Sequence, residues 1–84
     1  MKYNVIFSQQ AYKDIKKLTP KLREKAKEII RNRIAVDPYR GKQLVGNMKG
    51  YFSVRLTYKD RIVYSVDDDR IVVFIVSAKT HYRD

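Results

Sequence analysis

Apolar and polar positions along this chain change period about halfway. The opening Tyr3–Phe7, "YNVIF", is short, β-branched and aromatic, which predicts a strand. Ser8 follows as an N-cap, and Ala11, Ile15 and Leu18 recur at helical spacing with Lys13, Lys16 and Lys17 outside them. "LTP" breaks that helix. Thr19 caps the next one and Pro20 fits its first turn, where a missing N–H is harmless. Leu22, Ala26, Ile29, Ile30 and Ile34 form one apolar stripe, while Lys21, Arg23, Lys25, Lys27, Arg31 and Arg33 occupy the other faces. "VDPYRGK" ends the helix, because the residue before Pro38 resists helical dihedrals and Gly41 permits a turn.

From Tyr51 the period is two. "YFSVRLTY" alternates Phe52, Val54 and Leu56 with Tyr51, Ser53 and Arg55. Lys59-Asp60 predicts a turn, "RIVYSV" a second strand and Asp67–Asp69 a second turn. "RIVVFIVS" is almost continuously apolar, as expected of a central strand covered on both faces. Short turns favour an antiparallel meander. The order βααβββ therefore predicts an α+β fold in one domain, residues 1–84, with a helical hairpin packed on one face of a mainly antiparallel sheet.

The charge changes the picture. Nineteen Lys and Arg stand against nine Asp and Glu, a formal charge of +10 on 84 residues. So much positive charge on a small domain implies a polyanionic partner, either nucleic acid or an acidic protein. There is no cysteine, so neither a disulfide nor a thiolate–metal site can staple the chain. With no membrane-length apolar run and no signal-peptide core, a cytoplasmic protein without a membrane partner is expected.

Common enzyme signatures are missing: no Gly-rich phosphate loop, no HExxH and no serine in an elbow context. One histidine cannot build a zinc site without carboxylates, so no metal and no cofactor is expected. A solvated turn is favoured over a cation site for Asp67–Asp69. What remains is a basic and aromatic set: Arg55, Arg61, His81 and Tyr82, with Lys42 and Lys49 in the loop before them. Arginine clamps phosphate, histidine moves protons near neutral pH, and tyrosine stacks on bases. Together they suit RNA cleavage by the substrate's own 2′-hydroxyl. From the residues alone, an arginine on a strand face is most often solvated or salt-bridged, and a terminal His-Tyr is most often incidental.

The run "LVGNMKGYFSVRLTYKDRIVYSV", an apolar strand and the terminal "THY" resemble the YoeB/Txe branch of the RelE/ParE toxin superfamily. The opening "YNVIFSQQAYKDIKKL" is similar to that family's first strand and helix, so the resemblance spans essentially the whole chain. It implies the toxin of a type II toxin–antitoxin pair: two helices on a curved antiparallel sheet, cutting messenger RNA at the ribosomal A site without metal. It implies three kinds of partner: the ribosome with its mRNA, an acidic antitoxin that folds over the toxin, and operator DNA reached only through the toxin–antitoxin complex.

By the same resemblance Arg55 holds the scissile phosphate, Arg61 stabilises the phosphorane, His81 is the general acid and Tyr82 orients the substrate. Lys49 and Tyr51 would bind RNA nearby. One position departs. YoeB-like toxins carry a glutamate general base before the "LxG" run; here Lys42 falls at that place, or the position is lost in a slightly shorter loop. Lysine is a poor base in general and a good partner for developing negative charge. Val45 stands where relatives often carry lysine, and Lys49 is the nearest substitute. Two alternatives stay open, a ParE-like toxin that poisons a topoisomerase and a catalytically weak partner-binding member of the fold.

Overall fold

The structure, a computed structural model, describes residues 2–80, with the backbone alone at positions 79 and 80. The chain runs β1 (Asn4–Phe7), α1 (Gln9–Lys17), α2 (Pro20–Ile29), β2 (Lys42–Gln43), β3 (Phe52–Arg55), β4 (Asp60–Asp67) and β5 (Val72–Thr80). Two helices therefore pack against a five-stranded sheet of order β1-β5-β4-β3-β2. All neighbours are antiparallel except β1 and β5, which run parallel.

Both helix starts form as the local chemistry dictates. Ser8 Oγ accepts from the Ala11 N–H at 2.9 Å, and Thr19 Oγ1 accepts from the Leu22 N–H at 3.3 Å, each satisfying a donor that has no partner within its helix. α2 does not stop at Ile29. A π-helical turn, Ile30–Ile34, carries it on, closed by Ala35 N–H to Ile30 O at 2.8 Å. Ile30 and Ile34, at the two ends of this turn, are both buried. They join Ala11, Ile15, Ala26 and Ile29 against Phe52, Leu56, Ile62, Tyr64, Val73, Ile75 and Ala78 of the sheet side.

Four details differ from the sequence expectations. The Lys42–Gln43 pair is an extra edge strand, too short for a periodic signal. β3 ends at Arg55, and Leu56 is buried from the following loop. The β3–β4 connection spans residues 56–59, so Asp60 already belongs to β4. The last apolar run is not covered on both faces: β5 begins only at Val72, and Phe74 is 46% exposed while Val73 and Ile75 are buried. In this stretch of β5 the helices cover the Val73 and Ile75 side and leave the Phe74 side open.

β5 carries a bulge. The register passes from Val63↔Ser77 to Tyr64↔Ile75, leaving Val76 as the extra residue. The start of α1 bonds to the backbone around it: Ser8 N–H donates to Ile75 O at 2.9 Å, and Ser8 Oγ–H to Val76 O at 2.8 Å. Farther along α1, the buried Asp14 accepts from Ala78 N–H at 3.0 Å and from Gln10 Nε2 at 2.7 Å. At the opposite end of the sheet, the Asp67–Asp69 run is not merely solvated. Asp68 accepts from the Tyr3 hydroxyl at 2.7 Å and the Tyr39 hydroxyl at 2.5 Å.

Candidate active site

Residues facing each other across an antiparallel ladder project to the same side of the sheet. The register Lys42↔Ser53↔Val63 therefore sets one cross-strand row on the face away from the helices. Arg61 lies two residues before Val63 and shares that face. These four residues, with Gln43, Leu44, Val45 and Met48, line a shallow hollow of about 680 Å³. Ser53 and Val63 are its buried residues, Arg61 is half-buried, and Lys42 is exposed.

The apolar rim comes from the loop between β2 and β3. Leu44 N–H donates to Tyr51 O at 2.9 Å and Tyr51 N–H to Met48 O at 3.0 Å, closing the loop on itself. Gly50 makes the last turn with φ 96°, a dihedral that side chains rarely tolerate. The rim is the part that sequence reasoning missed, since nothing in "LVGNM" marks Val45 and Met48 as neighbours of Arg61.

Arg55 stands directly opposite Arg61 in the β3–β4 register. Like charges placed opposite each other destabilise a sheet. Among the described residues no carboxylate forms an ion pair with Arg55, Arg61 or Lys42. Arg55 does not line the Lys42–Arg61 hollow itself; it borders a groove toward α2. Lys49 and Tyr51 line a neighbouring hollow of about 360 Å³, beyond the wall formed by Gln43, Leu44 and Val45. Lys49 thus does not restore a cation to the Lys42–Arg61 hollow. His81 and Tyr82 lie outside the described residues. Thr80 pairs with Asp60, so the backbone leaves β5 beside the residue that precedes Arg61.

Behind the site, Tyr64 is fully buried and donates to Pro38 O at 2.6 Å; burial pushes its hydroxyl pKa up to about 12. Its ring stacks on Phe52 at 5.6 Å, and Phe52 meets Tyr39 edge-on at 5.5 Å. This aromatic column backs β3.

The fold has counterparts among solved structures. A solved toxin–antitoxin complex, RelBE2 from Mycobacterium tuberculosis, contains a chain that superposes with TM-score 0.87 at 29% identity, covering 96% of this chain and 93% of that one. The YoeB dimer from Staphylococcus aureus superposes with TM-score 0.79 at 31% identity, covering 98% of this chain and all of that one. A curated relative, toxin YoeB of Streptomyces coelicolor, is 42% identical over 53 residues, a match spanning 58% of this chain and only 61% of that relative's length. Residues 7–82 match a family model described as the YoeB-like toxin of bacterial type II toxin–antitoxin systems, and the chain belongs to that family.

Proposed function

We propose that this protein is a ribosome-dependent endoribonuclease that inhibits translation in the cytoplasm by cutting messenger RNA. The observation that carries the reading is the convergence of Arg61 and Lys42 on one hollow, with Arg55 opposite Arg61. Arg61 and Lys42 in one hollow, with Arg55 across the ladder at its edge and no carboxylate paired to any of the three among the described residues, suit a phosphate that gains charge during reaction.

The chemistry needs little else. The substrate's 2′-oxygen attacks the adjacent phosphorus as its proton passes to water. Arg61 and Lys42 stabilise the extra negative charge on the phosphorane, and Arg55 holds a non-bridging oxygen. The bond to the 5′-oxygen then breaks, His81 supplies that oxygen with a proton, and Tyr82 orients the nucleotide. The products are a 2′,3′-cyclic phosphate and a 5′-hydroxyl. Lys42 acts in this scheme as a charge stabiliser in place of a carboxylate base. The cationic face also suits an acidic antitoxin segment, by analogy with the toxin–antitoxin complex described above.

Primer extension on a translated message after induction tests the proposal. New 5′ ends should appear with the wild-type protein, vanish with His81→Ala and Arg61→Ala, and weaken with Lys42→Ala. Full cleavage by both of the first two variants would sink this assignment of the site. One observation favours a second reading, a binding member without catalysis: among the described residues no carboxylate lines the hollow. That reading predicts no new ends from programmed ribosomes at any protein concentration. DNA-damage signalling without mRNA cleavage would instead indicate a topoisomerase poison.

A further inference from the structure

Tyr58 is the most exposed of the described large hydrophobic side chains, at 85%. It sits in the β3–β4 connection, which joins Arg55 to Arg61. That connection is braced. Thr57 Oγ1 accepts from Asp60 N–H at 2.9 Å and donates to Asp60 Oδ2 at 2.9 Å, while Leu56 N–H and Thr57 N–H donate to Asp60 O at 2.8 and 3.2 Å. Leu56, 1% exposed, anchors the loop in the core. The tyrosine is thus held out on a preorganised support rather than on a slack loop. Tyr12, also strongly exposed, has the Lys16 ammonium 5.4 Å from its ring centroid; among the described residues no cation or ring lies over Tyr58.

Its surroundings are cationic. Tyr58 and Arg55 line a groove of about 560 Å³ whose other wall is α2 and the turn after it, with Lys25, Glu28, Asn32 and Arg33. Three cations against one carboxylate, a hydrogen-bonding amide and an open aromatic face form a surface for single-stranded nucleic acid: phosphates on the cations, a base on the ring. The groove is separate from the Lys42–Arg61 hollow, with Arg55 between the two.

We infer that this groove is a second RNA subsite, in which Tyr58 stacks on a nucleobase and Arg33 and Lys25 bind the flanking phosphates, while Arg55, at the edge of the groove, stays on the scissile phosphate. The inference rests on the ribonuclease reading for its partner class, and it places a base contact outside the hollow where the strand is cut. Stacking on tyrosine is tolerant of base identity, so the subsite would add affinity and register rather than sequence choice.

The chain has no tryptophan, so Tyr58→Trp creates a single tryptophan reporter at the proposed contact. The probe is a short fluorescein-labelled 2′-O-methyl oligoribonucleotide, which cannot be cleaved because its attacking hydroxyls are blocked. Stacking predicts that the Tyr58→Trp emission is quenched as the probe saturates. Tyr58→Phe should bind like wild type, and Tyr58→Ala roughly tenfold more weakly by anisotropy, the scale of one lost base stack. Binding with unchanged tryptophan emission and an unimpaired Tyr58→Ala variant overturns the subsite. So does the absence of binding by every variant. The nuclease reading is decided separately, by the primer-extension result on ribosomes.

Discussion

At the scale of single residues, the closest packing lies behind the site at Gly41. A Cβ added there would overlap the Tyr64 hydroxyl and crowd Ser53 O at 3.1 Å. Gly41→Ala should therefore destabilise the fold by about 1–3 kcal/mol in urea denaturation, as overpacking does. In a Tyr64→Phe background the added methyl gains room, so the second substitution should cost less there than alone; equal costs would show that the overlap is relieved elsewhere. The tyrosines also make a titration prediction. The hydrogen bond to Asp68 raises the Tyr39 pKa to about 12, and the same bond type raises Tyr3 above its ordinary value. Asp68 is lowered in turn, first by Tyr39 and then by Tyr3. A raised tyrosine keeps its proton longer in the folded state, so its contribution is complete below about pH 10 and lost as pH rises toward 12. The Asp68 contribution is present above its unfolded pKa and lost as pH falls through the lowered one. In an alkaline spectrophotometric titration, Asp68→Ala should return Tyr39 toward 10.0 and leave Tyr64, raised by burial, near 12.

At the scale of elements, the decisive joint is between α1 and the β5 bulge. Asp14 satisfies the Ala78 N–H inside the packed layer, 5% exposed. Asp14→Ala leaves that donor without a partner and should cost about 1–3 kcal/mol. Asp14→Asn keeps an acceptor for Ala78 and should lose less, measured by the same denaturation midpoint. Equal loss in both would assign the effect to the carboxylate's charge rather than to the bond. The helix boundaries at Ser8 and Thr19 were legible because capping is local: an oxygen meets an N–H three residues on. The bulge at Val76 was not, because the groups that bond to the backbone at and beside it, Ser8 and Asp14, lie more than sixty positions away. Strand β2 was invisible for a similar reason. Two polar residues carry no period, and Lys42-Gln43 becomes a strand only because β3 offers an edge. The open face of β5 was misread because Val72–Val76 is apolar on both sides, while helices cover only one.

At the scale of the whole molecule, charge is the governing quantity. With +10 on 84 residues, RNA affinity should fall steeply and linearly on a log–log plot against salt, by about 0.7 per neutralised phosphate for a single strand. Arg33→Ala and Lys25→Ala should each shallow that slope by about one contact; a slope unmoved by either would remove the α2 wall from the RNA path. Composition alone raised the expectation of an anionic partner. Which cations act together it did not, since Lys42, Arg55, Arg61 and Lys49 read as one set but divide in space. Lys42 and Arg61 share a hollow, Arg55 turns to the α2 groove, and Lys49 stands behind the loop wall with Tyr51. By itself the sequence determined the two helices with their caps, the meander strands, the sign of the charge and the family-like order of basic and aromatic residues, because these depend on local dihedrals, periodicity and composition. Strand order, the parallel pairing of β1 with β5, the bulge and the division of the cations were decided by tertiary structure. Each is a relation between residues far apart in the chain, and only the packed sheet brings them within bonding distance.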